Sequence, residues 1–418
     1  MRSSLTAALA AASALALGAT AAAANAAPAD TAGSAGYIVV LNDSTAPGKV
    51  AKDHEQRHGA AVSHVYRSAL KGYAAQMSAT AATRIADDAR VKFVQVDGIA
   101  TTTAPPGGGT EAVGELPTGV DRVEGELSTL AAIDGVDTRV DVDVAVIDTG
   151  VDLDHPDLNV NTAGAKNCAR GRSADDGNGH GTHVAGTVGA LDNGAGVVGV
   201  APGARIWPVR VLNNNGSGSF SGIICGIDYV TANADSIEVA NMSLGGSGSD
   251  DGDCGRSNKD AMHEAICSSV AAGVTYVVAA GNDASNAAGF VPAAYDEVIT
   301  VSALADFDGQ AGGGAAPTCR SDVDDTFANF SNYGADVDLI APGVCITSTW
   351  KGGGYDTISG TSMASPHVAG GAALYAAGNP GASPSQVQSA LQSSGTTDWD
   401  NSDDRDSTKE RLLNVATY

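Results

Sequence analysis

The chain has 418 residues, enough for one large domain together with a smaller one. Its 23 lysines and arginines stand against 48 aspartates and glutamates, which gives a formal net charge of −25. Such a charge repels nucleic-acid phosphates and anionic membranes, so it argues against both as partners and leaves the fold open.

The N-terminus has the pattern of an export signal. Met1 and Arg2 give a short positive end, residues 5–24 form an Ala-rich apolar run, and Ala24-Asn25-Ala26 gives the small-x-small pattern of a cleavage site. A membrane anchor is the alternative, because about 20 apolar residues can span a bilayer, but alanine is only weakly apolar. The pattern therefore predicts a signal peptide over residues 1–26 and a secreted, extracellular protein that leaves the membrane when the signal is removed.

Six cysteines follow the predicted signal: Cys168, Cys225, Cys254, Cys267, Cys319 and Cys345. An even number in an exported chain predicts three disulfides, for which about 15 pairings are possible. Pairing of near neighbours gives Cys254–Cys267 and Cys319–Cys345 and leaves Cys168–Cys225. A zinc site is disfavoured because the sequence has no C-x-x-C pair.

Residues 36–103 have the pattern β-α-β-β-α-β. Strands are predicted at 37–41, within 62–77 (two short strands) and at 91–96, with helices over 49–58 and 79–90. This order is typical of a split βαβ sandwich, a small ferredoxin-like α+β domain. The residues that follow, 101–116, are rich in Thr, Pro and Gly and predict an exposed linker.

From about residue 117, short apolar strands alternate with helices. Strands are predicted at 142–147, 204–212, 238–244, 275–280 and 298–303, and helices over 222–232 and 257–272. Strands that are apolar on both faces and alternate with helices indicate an α/β fold, with a mainly parallel sheet that has helices on both faces.

Three Gly-flanked segments each carry one polar group suited to acyl transfer. Asp148 ends a predicted strand, His180 lies between two glycines, and Ser362 stands at the start of a predicted helix. Each has an ordinary alternative role, as a turn residue, a structural histidine or an N-cap serine. In the order Asp, His, Ser they match one of the three known chain orders of the triad in which a base activates a serine and a carboxylate orients the base.

The segments around these residues resemble the subtilases, the subtilisin-like serine peptidases, including the proteinase K branch. The resemblance extends over roughly residues 117–418, and its matching segments are 146–150, 180–186 and 360–370. It implies a subtilisin-like fold and a secreted serine endopeptidase of broad specificity, which hydrolyses peptide bonds through an acyl-enzyme without an organic cofactor. It also implies that Asp148 is the orienting acid, His180 the general base and Ser362 the nucleophile.

The same resemblance implies further roles around the triad. Asn282 would donate its side-chain N–H to the oxyanion that forms during the reaction. A preference for apolar or aromatic substrate side chains is expected from the residues at the substrate pocket. These are the strand edge Ser243, Leu244, Gly245 and Gly246, the opposite wall Ala279, Ala280 and Gly281, and Phe290 at the floor.

The loop over residues 190–197 resembles the calcium loop of the family. The resemblance implies a structural Ca²⁺ bound by the carbonyl oxygens of Leu191, Ala195 and Val197, the side chain of Asn193 and the carboxylate of Asp157. Oxygen ligands alone are what this ion prefers. An ordinary Gly/Asn turn is the alternative.

Residues 36–103 resemble the inhibitor-type propeptide of subtilases. The resemblance implies a folding aid and temporary inhibitor that the enzyme cuts from itself within the linker 104–116, at a bond between about residues 103 and 113. Removal would leave a peptidase domain over residues 117–418. That domain is expected to act as a monomer on protein and peptide substrates.

Other functions explain the motifs less well. A catalytically inactive relative would not need the complete triad together with Asn282. An α/β-hydrolase esterase has the chain order Ser, acid, His and a G-x-S-x-G elbow, whereas this chain has the order Asp, His, Ser and lacks the last glycine of the elbow. An acidic calcium-binding structural protein would explain the charge but not the triad motifs.

Overall fold

The computed structural model describes residues 33–102, 114, 116–406 and 408–418. The predicted signal peptide and most of the predicted linker lie outside these residues. None of the described helices is long and apolar enough to cross a membrane.

The N-terminal domain has the predicted order of elements, which are β1 (Ala35–Leu41), α1 (Pro47–His58), β2 (Ala61–Tyr66), β3 (Gly72–Met77), α2 (Ala79–Ala86) and β4 (Val91–Val96). Its strands form one antiparallel sheet in the order β2-β3-β1-β4. On one face of β1, Val39 and Leu41 pack in a core with Val50 and Ile85 from the two helices. The prediction of a ferredoxin-like α+β domain is therefore confirmed.

A large α/β domain follows the short strand β5 (Ile99–Thr102). Its helices are α3 (Thr118–Arg122), α4 (His180–Gly189), α5 (Phe220–Ala232), α6 (Ala261–Ala271), α7 (Thr361–Gly378) and α8 (Pro384–Ser394), with 3₁₀ turns at Gly125–Leu127, Thr162–Gly164 and Ala287–Gly289. Its strands are β6 (Asp143–Asp148), β7 (Lys166–Asn167), β8 (Arg205–Arg210), β9 (Ser217–Ser219), β10 (Val239–Met242), β11 (Leu244–Ser247), β12 (Thr275–Ala279), β13 (Phe290–Val291), β14 (Ile299–Ala305), β15 (Thr326–Phe327), β16 (Leu339–Pro342), β17 (Ile346–Trp350), β18 (Gly354–Ile358) and β19 (Arg411–Leu412).

The main sheet has the order β19-β16-β14-β12-β10-β6-β8-β7, in which neighbouring strands are parallel. Alternate residues of β6 fill two cores, with Val144 and Val146 on the face of α4 and α7 and Ala145 and Ile147 on the face of α5 and α6. The predicted parallel sheet with helices on both faces is confirmed. Because the strands are parallel, their carboxyl ends meet at one edge, where open α/β sheets place their ligands.

The segment predicted as one strand over 238–244 is two strands. β10 ends at Met242 in the main sheet, whereas β11 leaves that sheet and pairs antiparallel with β5 and β13. A run of apolar residues does not show where a strand changes sheets, so the sequence pattern missed the break at Ser243. The result is a second sheet in the order β13-β11-β5-β9, with β5 inside it.

Helix α6 begins at Ala261, later than the predicted start at 257. Asp260 caps it by accepting hydrogen bonds from the N–H groups of Met262 and His263 at 3.0 and 3.3 Å. Before it, the Asp251 carboxylate accepts hydrogen bonds from four N–H groups of the loop that precedes Asp260. These side-chain acceptors compete with helical hydrogen bonding and hold residues 251–258 as a loop.

Three disulfides join Cys168 to Cys225, Cys254 to Cys267 and Cys319 to Cys345, with Cα–Cα distances of 5.8, 5.9 and 5.7 Å. The pairing of near neighbours is therefore confirmed. The bridges tie the segment after β7 to α5, the loop before α6 to α6 itself, and the insertion after β14 to the start of β17. Each restricts the unfolded chain, which contributes about 3 kcal/mol to stability for loops of such length.

Two buried carboxylates near the C-terminus have oxygens without a hydrogen-bond partner among the described residues. These are both carboxylate oxygens of Glu410 and the Oδ2 atom of Asp404, whose other oxygen accepts a hydrogen bond from the Asp406 N–H at 3.4 Å. The cations of this segment lie elsewhere, since Arg405 donates to a backbone carbonyl and Lys409 lies over an aromatic ring. Burial is the main reason that the pKa of Glu410 is raised to about 8 and that of Asp404 to about 6, and neighbouring acids contribute to both shifts.

We predict that Glu410→Gln increases the free energy of unfolding at pH 9 and changes it little at pH 4. A carboxyl whose pKa is raised on folding favours the folded state below its unfolded pKa and opposes it as pH rises through the folded value. We expect a gain of at least about 1 kcal/mol at pH 9, measured by thermal unfolding of the precursor with Ser362→Ala. The exposed Glu55→Gln is the control, and an equal gain at both pH values would contradict the prediction.

Candidate active site

Strand β6 ends at Asp148, helix α4 begins at His180, and the two side chains meet. His180 Nδ1 lies 2.8 Å from Asp148 Oδ1, and both residues are buried. The Thr149 N–H donates to the same oxygen at 2.6 Å. His180 Nε2 is also buried and has no hydrogen-bond partner in the described part of the chain. The carboxylate therefore orients the ring and leaves Nε2 to act on another group.

A second buried carboxylate, Asp176, holds this pair together. It accepts five hydrogen bonds of 2.7–3.0 Å, and the donors are Thr149 Oγ1, Asn178 N, Gly179 N, Thr182 N and Thr182 Oγ1. Thr149 Oγ1 in turn accepts a hydrogen bond from Gly181 N at 2.9 Å. One side chain thus joins the end of β6 to the first turn of α4. Sequence analysis did not identify Asp176, although an acidic residue in the Gly/Asn loop before His180 could have indicated this role.

Ser362 is the second residue of α7, which packs against α4. Its Oγ donates to the Ser243 carbonyl at 3.2 Å, and Ser243 Oγ donates to the Ser362 carbonyl at 2.8 Å. Because His180 Nε2 has no hydrogen-bond partner among the described residues, the Asp148–His180 hydrogen bond of the predicted triad is present there without the bond from serine to histidine. Ser362 and His180 nevertheless occupy the first turns of two packed helices.

Asn282 follows β12 and lies beside the start of α7. Its Oδ1 accepts hydrogen bonds from Thr361 N at 2.9 Å and Thr361 Oγ1 at 3.0 Å. This fixes the side-chain amide, and its Nδ2 is buried without a hydrogen-bond partner in the described residues. A buried donor left unsatisfied costs free energy, so such a group is typical of a site that awaits an acceptor.

The predicted substrate residues lie around β5. Thr101 pairs with Gly245 and Thr102 with Leu244, while the other edge of β5 pairs with β9. Gly246 pairs with Val291 of β13, which brings Phe290 beside this strand. The other predicted residues of the set, Ala279, Ala280 and Gly281, lie at the end of β12 next to Asn282. A segment of the chain itself therefore lies between the strands that would bind an extended peptide.

The N-terminal domain is attached to the same surface. The Asp228 carboxylate of α5 accepts hydrogen bonds of 2.6–3.1 Å from the N–H groups of Arg67, Ser68 and Ala69. Asp97 accepts two hydrogen bonds from Ser221 at the start of α5, from N–H at 2.9 Å and from Oγ at 2.6 Å. Both contacts are made by a carboxylate with polar hydrogens, and they place β5 in register with β11.

The predicted calcium loop lies against Asp157, whose carboxylate is buried. Among the described residues, its hydrogen-bond donors are neutral groups, Asn193 Nδ2 at 3.1 Å, Val197 N at 3.0 Å and Tyr355 Oη at 3.2 Å. Burial raises the pKa of Asp157. The carbonyl oxygens of Leu191, Ala195 and Val197 accept no hydrogen bond from backbone N–H groups of the described residues.

These residues fit a calcium ion in their chemistry, because they offer oxygen ligands and one buried carboxylate that lacks a positive partner. One detail differs from the expectation. Asn193 presents its Nδ2 to Asp157, while its Oδ1 accepts a hydrogen bond from the Ala195 N–H at 2.9 Å. The amide would therefore have to turn to bind a cation.

A separate acidic group lies outside this loop. It consists of Asp306, Asp308 and Asp324, which each have one carboxylate oxygen within 4.8 Å of the others.

Comparison with known proteins agrees with this geometry. Residues 140–411 match the model of the subtilase family, and residues 36–103 match that of the peptidase inhibitor I9 family. An extracellular serine proteinase of Thermus sp. (strain Rt41A) is 39% identical over 336 residues, 80% of this chain and 73% of that protein. Subtilisin DY of Bacillus licheniformis is 43% identical over 260 residues, 61% of this chain and 84% of that protein.

A solved structure gives the same result for the fold. The crystal structure of a cold-adapted subtilisin-like serine proteinase matches with a TM-score of 0.55 at 35% identity, over 72% of this chain and 98% of the other. The family model matches well over half of the chain and contains the ends of β6, α4 and α7 at which the candidate residues meet. The chain belongs to the subtilase family of serine peptidases, and it carries an N-terminal inhibitor domain.

Proposed function

We propose that Asp148, His180 and Ser362 perform the catalysis of this serine endopeptidase. The observation that carries the proposal is the 2.8 Å hydrogen bond that His180 Nδ1 donates to Asp148. It leaves a buried Nε2, which has no hydrogen-bond partner among the described residues, beside the helix that carries Ser362. Rotation of the serine about its Cα–Cβ bond would exchange the Ser243 carbonyl for this nitrogen. Catalytic hydrogen bonds commonly tighten only when substrate is bound.

The reaction follows from these positions. Ser362 Oγ attacks the carbonyl carbon of the scissile peptide bond and gives its proton to His180 Nε2, while Asp148 stabilises the imidazolium. The oxyanion that forms accepts a hydrogen bond from Asn282 Nδ2. When the carbon–nitrogen bond breaks, the leaving amine takes the proton from His180. Water then attacks the acyl-enzyme by the same proton transfers and frees Ser362.

We infer that the same serine matures the protein by cutting after Thr103. The antiparallel pairs Thr101–Gly245 and Thr102–Leu244 bring the end of β5 to the strand that follows Ser243, whose carbonyl accepts a hydrogen bond from Ser362. The match to the inhibitor family also ends at residue 103. This bond lies at the N-terminal limit of the window expected from the sequence. After the cut, β5 would stay between β9 and β11 and block substrate binding.

We propose further that the protein is secreted and acts on proteins and peptides outside the cell, as the names of the extracellular relatives suggest. We also propose that one Ca²⁺ binds Asp157, the carbonyl oxygens of the loop and the turned amide of Asn193. The ion would neutralise a buried carboxylate and hold residues 191–197 against it, so its role would be structural and not chemical.

Ser362→Ala is predicted to prevent maturation. The secreted wild type should lose the residues before position 104, whereas the variant should keep them, because no other group of the site supplies the nucleophile. Intact-mass spectrometry of both purified proteins makes the measurement. Ser365→Ala, a buried serine on the same helix that donates to Asn241 at 2.8 Å, is the matched control and should mature. Equal mature masses for wild type and Ser362→Ala would overturn the assignment.

Asn282→Ala should lower kcat by about 10²–10³ while KM changes little, a magnitude carried over from subtilisin, where this donor was removed. The physical reason is that the amide meets an acceptor only when negative charge develops on the substrate oxygen. Steady-state kinetics on a peptide p-nitroanilide separate the two constants. Asn332→Ala is a control, since its Nδ2 donates to the Ala280 carbonyl at 2.8 Å and is not available to substrate. A loss that lies mainly in KM would contradict the role.

Asp157→Asn should abolish the stabilisation of the protein by calcium. At about a hundred times its Kd, one ion adds about 2.7 kcal/mol to the stability of the folded state, which appears as a higher Tm in calcium than in EDTA. The precursor with Ser362→Ala avoids self-digestion during heating. Asp192→Asn is the matched control, because this carboxylate of the same loop accepts two N–H groups at 2.7 Å. It should lower Tm equally in both buffers; an unchanged calcium response in Asp157→Asn refutes the site.

A further inference from the structure

His263 lies in the first turn of α6 and is completely buried. Its Nε2 lies 2.8 Å from Glu297 Oε2, and because an ionised carboxylate only accepts, this nitrogen carries the hydrogen and donates it. The ring also stacks on Tyr295, with 4.0 Å between the two centroids and 3° between the planes. A hydrogen bond and a stacked ring therefore fix the imidazole, and its neutral form has a lone pair on Nδ1.

The Nδ1 atom of His263 faces two carboxylates of the loop that follows β11. It lies 3.8 Å from Asp250 Oδ1 and 3.7 Å from Asp251 Oδ1, and it has no hydrogen-bond partner among the described residues. The three atoms lie within 4.8 Å of one another. Neither carboxylate forms an ion pair with a lysine or arginine in the described part of the chain. Three acceptors that converge in this way repel one another, so the cluster requires a cation.

Backbone N–H groups hold both carboxylates in this arrangement. Asp250 Oδ2 accepts a hydrogen bond from Asp296 N at 3.0 Å. Asp251 Oδ1 accepts two, from Asp253 N and Gly255 N, each at 2.9 Å. Carboxylates that bind a metal ion commonly accept hydrogen bonds of this kind, which orient the ligand before the ion arrives.

The distances favour a metal ion over a proton as this cation. A proton on Nδ1 would form a charge-assisted hydrogen bond, which draws the nitrogen and the oxygen to about 2.7–2.9 Å. Two ligands of one tetrahedral zinc ion, each about 2.0–2.2 Å from the metal, lie about 3.4 Å apart. The observed 3.7 and 3.8 Å are nearer to the second value. The contact with Glu297 agrees, because a histidine that binds a metal commonly donates its other N–H to a carboxylate.

We propose that Asp250, Asp251 and His263 bind one divalent transition-metal cation of the zinc class. One imidazole nitrogen and two carboxylate oxygens suit Zn²⁺, which takes water as its fourth ligand. Ca²⁺ prefers a larger set of oxygen ligands alone, so this cluster differs in chemistry from the loop at Asp157. The Asp250 side chain is 18% exposed, and the ion and its water would reach the cluster from this side.

The ion would have a structural role. It would join the loop after β11 to the first turn of α6, and the disulfide between Cys254 and Cys267 makes the same connection. None of the three ligands is among the residues proposed for catalysis or for calcium. The inference therefore stands independently of the proposed function.

The test measures zinc binding to the precursor with Ser362→Ala, so it needs no peptidase activity. After metals are removed with EDTA and dialysis, isothermal titration calorimetry with ZnCl₂ should find one more site in this protein than in the same protein with Asp250→Asn. The other histidines are present in both proteins, so the difference reports this cluster. Zn²⁺ should also raise the Tm of the parent by more, because the ion binds only the folded site.

Asp253→Asn is the matched control, because this exposed acid of the same loop forms its ion pair with Arg256 and should leave zinc binding unchanged. His263→Gln should lose the same site as Asp250→Asn. Glu297→Gln, which only removes the acceptor that orients the histidine, should weaken zinc binding by about 10–100-fold. Circular dichroism shows that each variant is folded, and Asp250→Asn, which changes the more exposed ligand, decides the test if His263→Gln does not fold.

Equal numbers and affinities of zinc sites in the parent and in Asp250→Asn would overturn the inference, and the cluster would then hold a proton. Displacement of the bound Zn²⁺ by an equimolar amount of Ca²⁺ would contradict the class of metal. Asp157→Asn separates this site from the proposed calcium site, since it should keep the zinc site while it loses the response to calcium.

Discussion

The hydrogen bond between Asp148 and His180 depends on a carboxylate that touches neither the ring nor the substrate. Asp176 joins the end of β6 to the first turn of α4, and without it two separate elements would have to bring their side chains to 2.8 Å by packing alone. A buried carboxylate needs donors to offset its lost hydration, and five are present. Asp176 therefore determines the geometry of the site as much as the predicted catalytic residues do.

The first strand of the N-terminal domain packs in two cores, one of its own domain and one that it shares with the peptidase domain. Along β1, Val39 and Leu41 face its own small core, whereas Ile38 and Val40 belong to the core of α5 and α6. A domain of about 65 residues buries only about 60% of its surface when it folds alone, so this second face matters for its stability. The contact also stabilises the peptidase domain, because the same strand covers apolar residues of α5 and α6. The inhibitor domain and the peptidase domain thus each bury apolar surface of the other.

Sequence patterns predicted the features that rest on local chemistry. The apolar run from Val144 to Ile147 predicted a strand buried on both faces, and the glycines around His180 and Ser362 predicted close approach of the backbone. The patterns failed where the local structure depends on a group that is distant in the sequence. Whether residues 238–244 stay in one sheet depends on β5, which lies more than a hundred residues earlier, and the start of α6 depends on the loop that Asp251 holds. The Asn193 amide is oriented by hydrogen bonds with Asp157 and Ala195, and the Ser362 hydroxyl donates to the Ser243 carbonyl, contacts that no sequence spacing encodes.

The break at Ser243 connects the main sheet to the strands around the predicted substrate residues. Because β11 leaves the main sheet there, it presents one edge to β5 and the other to β13, so the strand that would bind the substrate backbone is also bonded to the strand that carries Phe290. A change in the β13 segment would therefore reach the edge of β11 as well. The contact is close because Gly245 of β11 has no side chain, and the ring of Phe290 occupies the space that a Cβ atom there would fill.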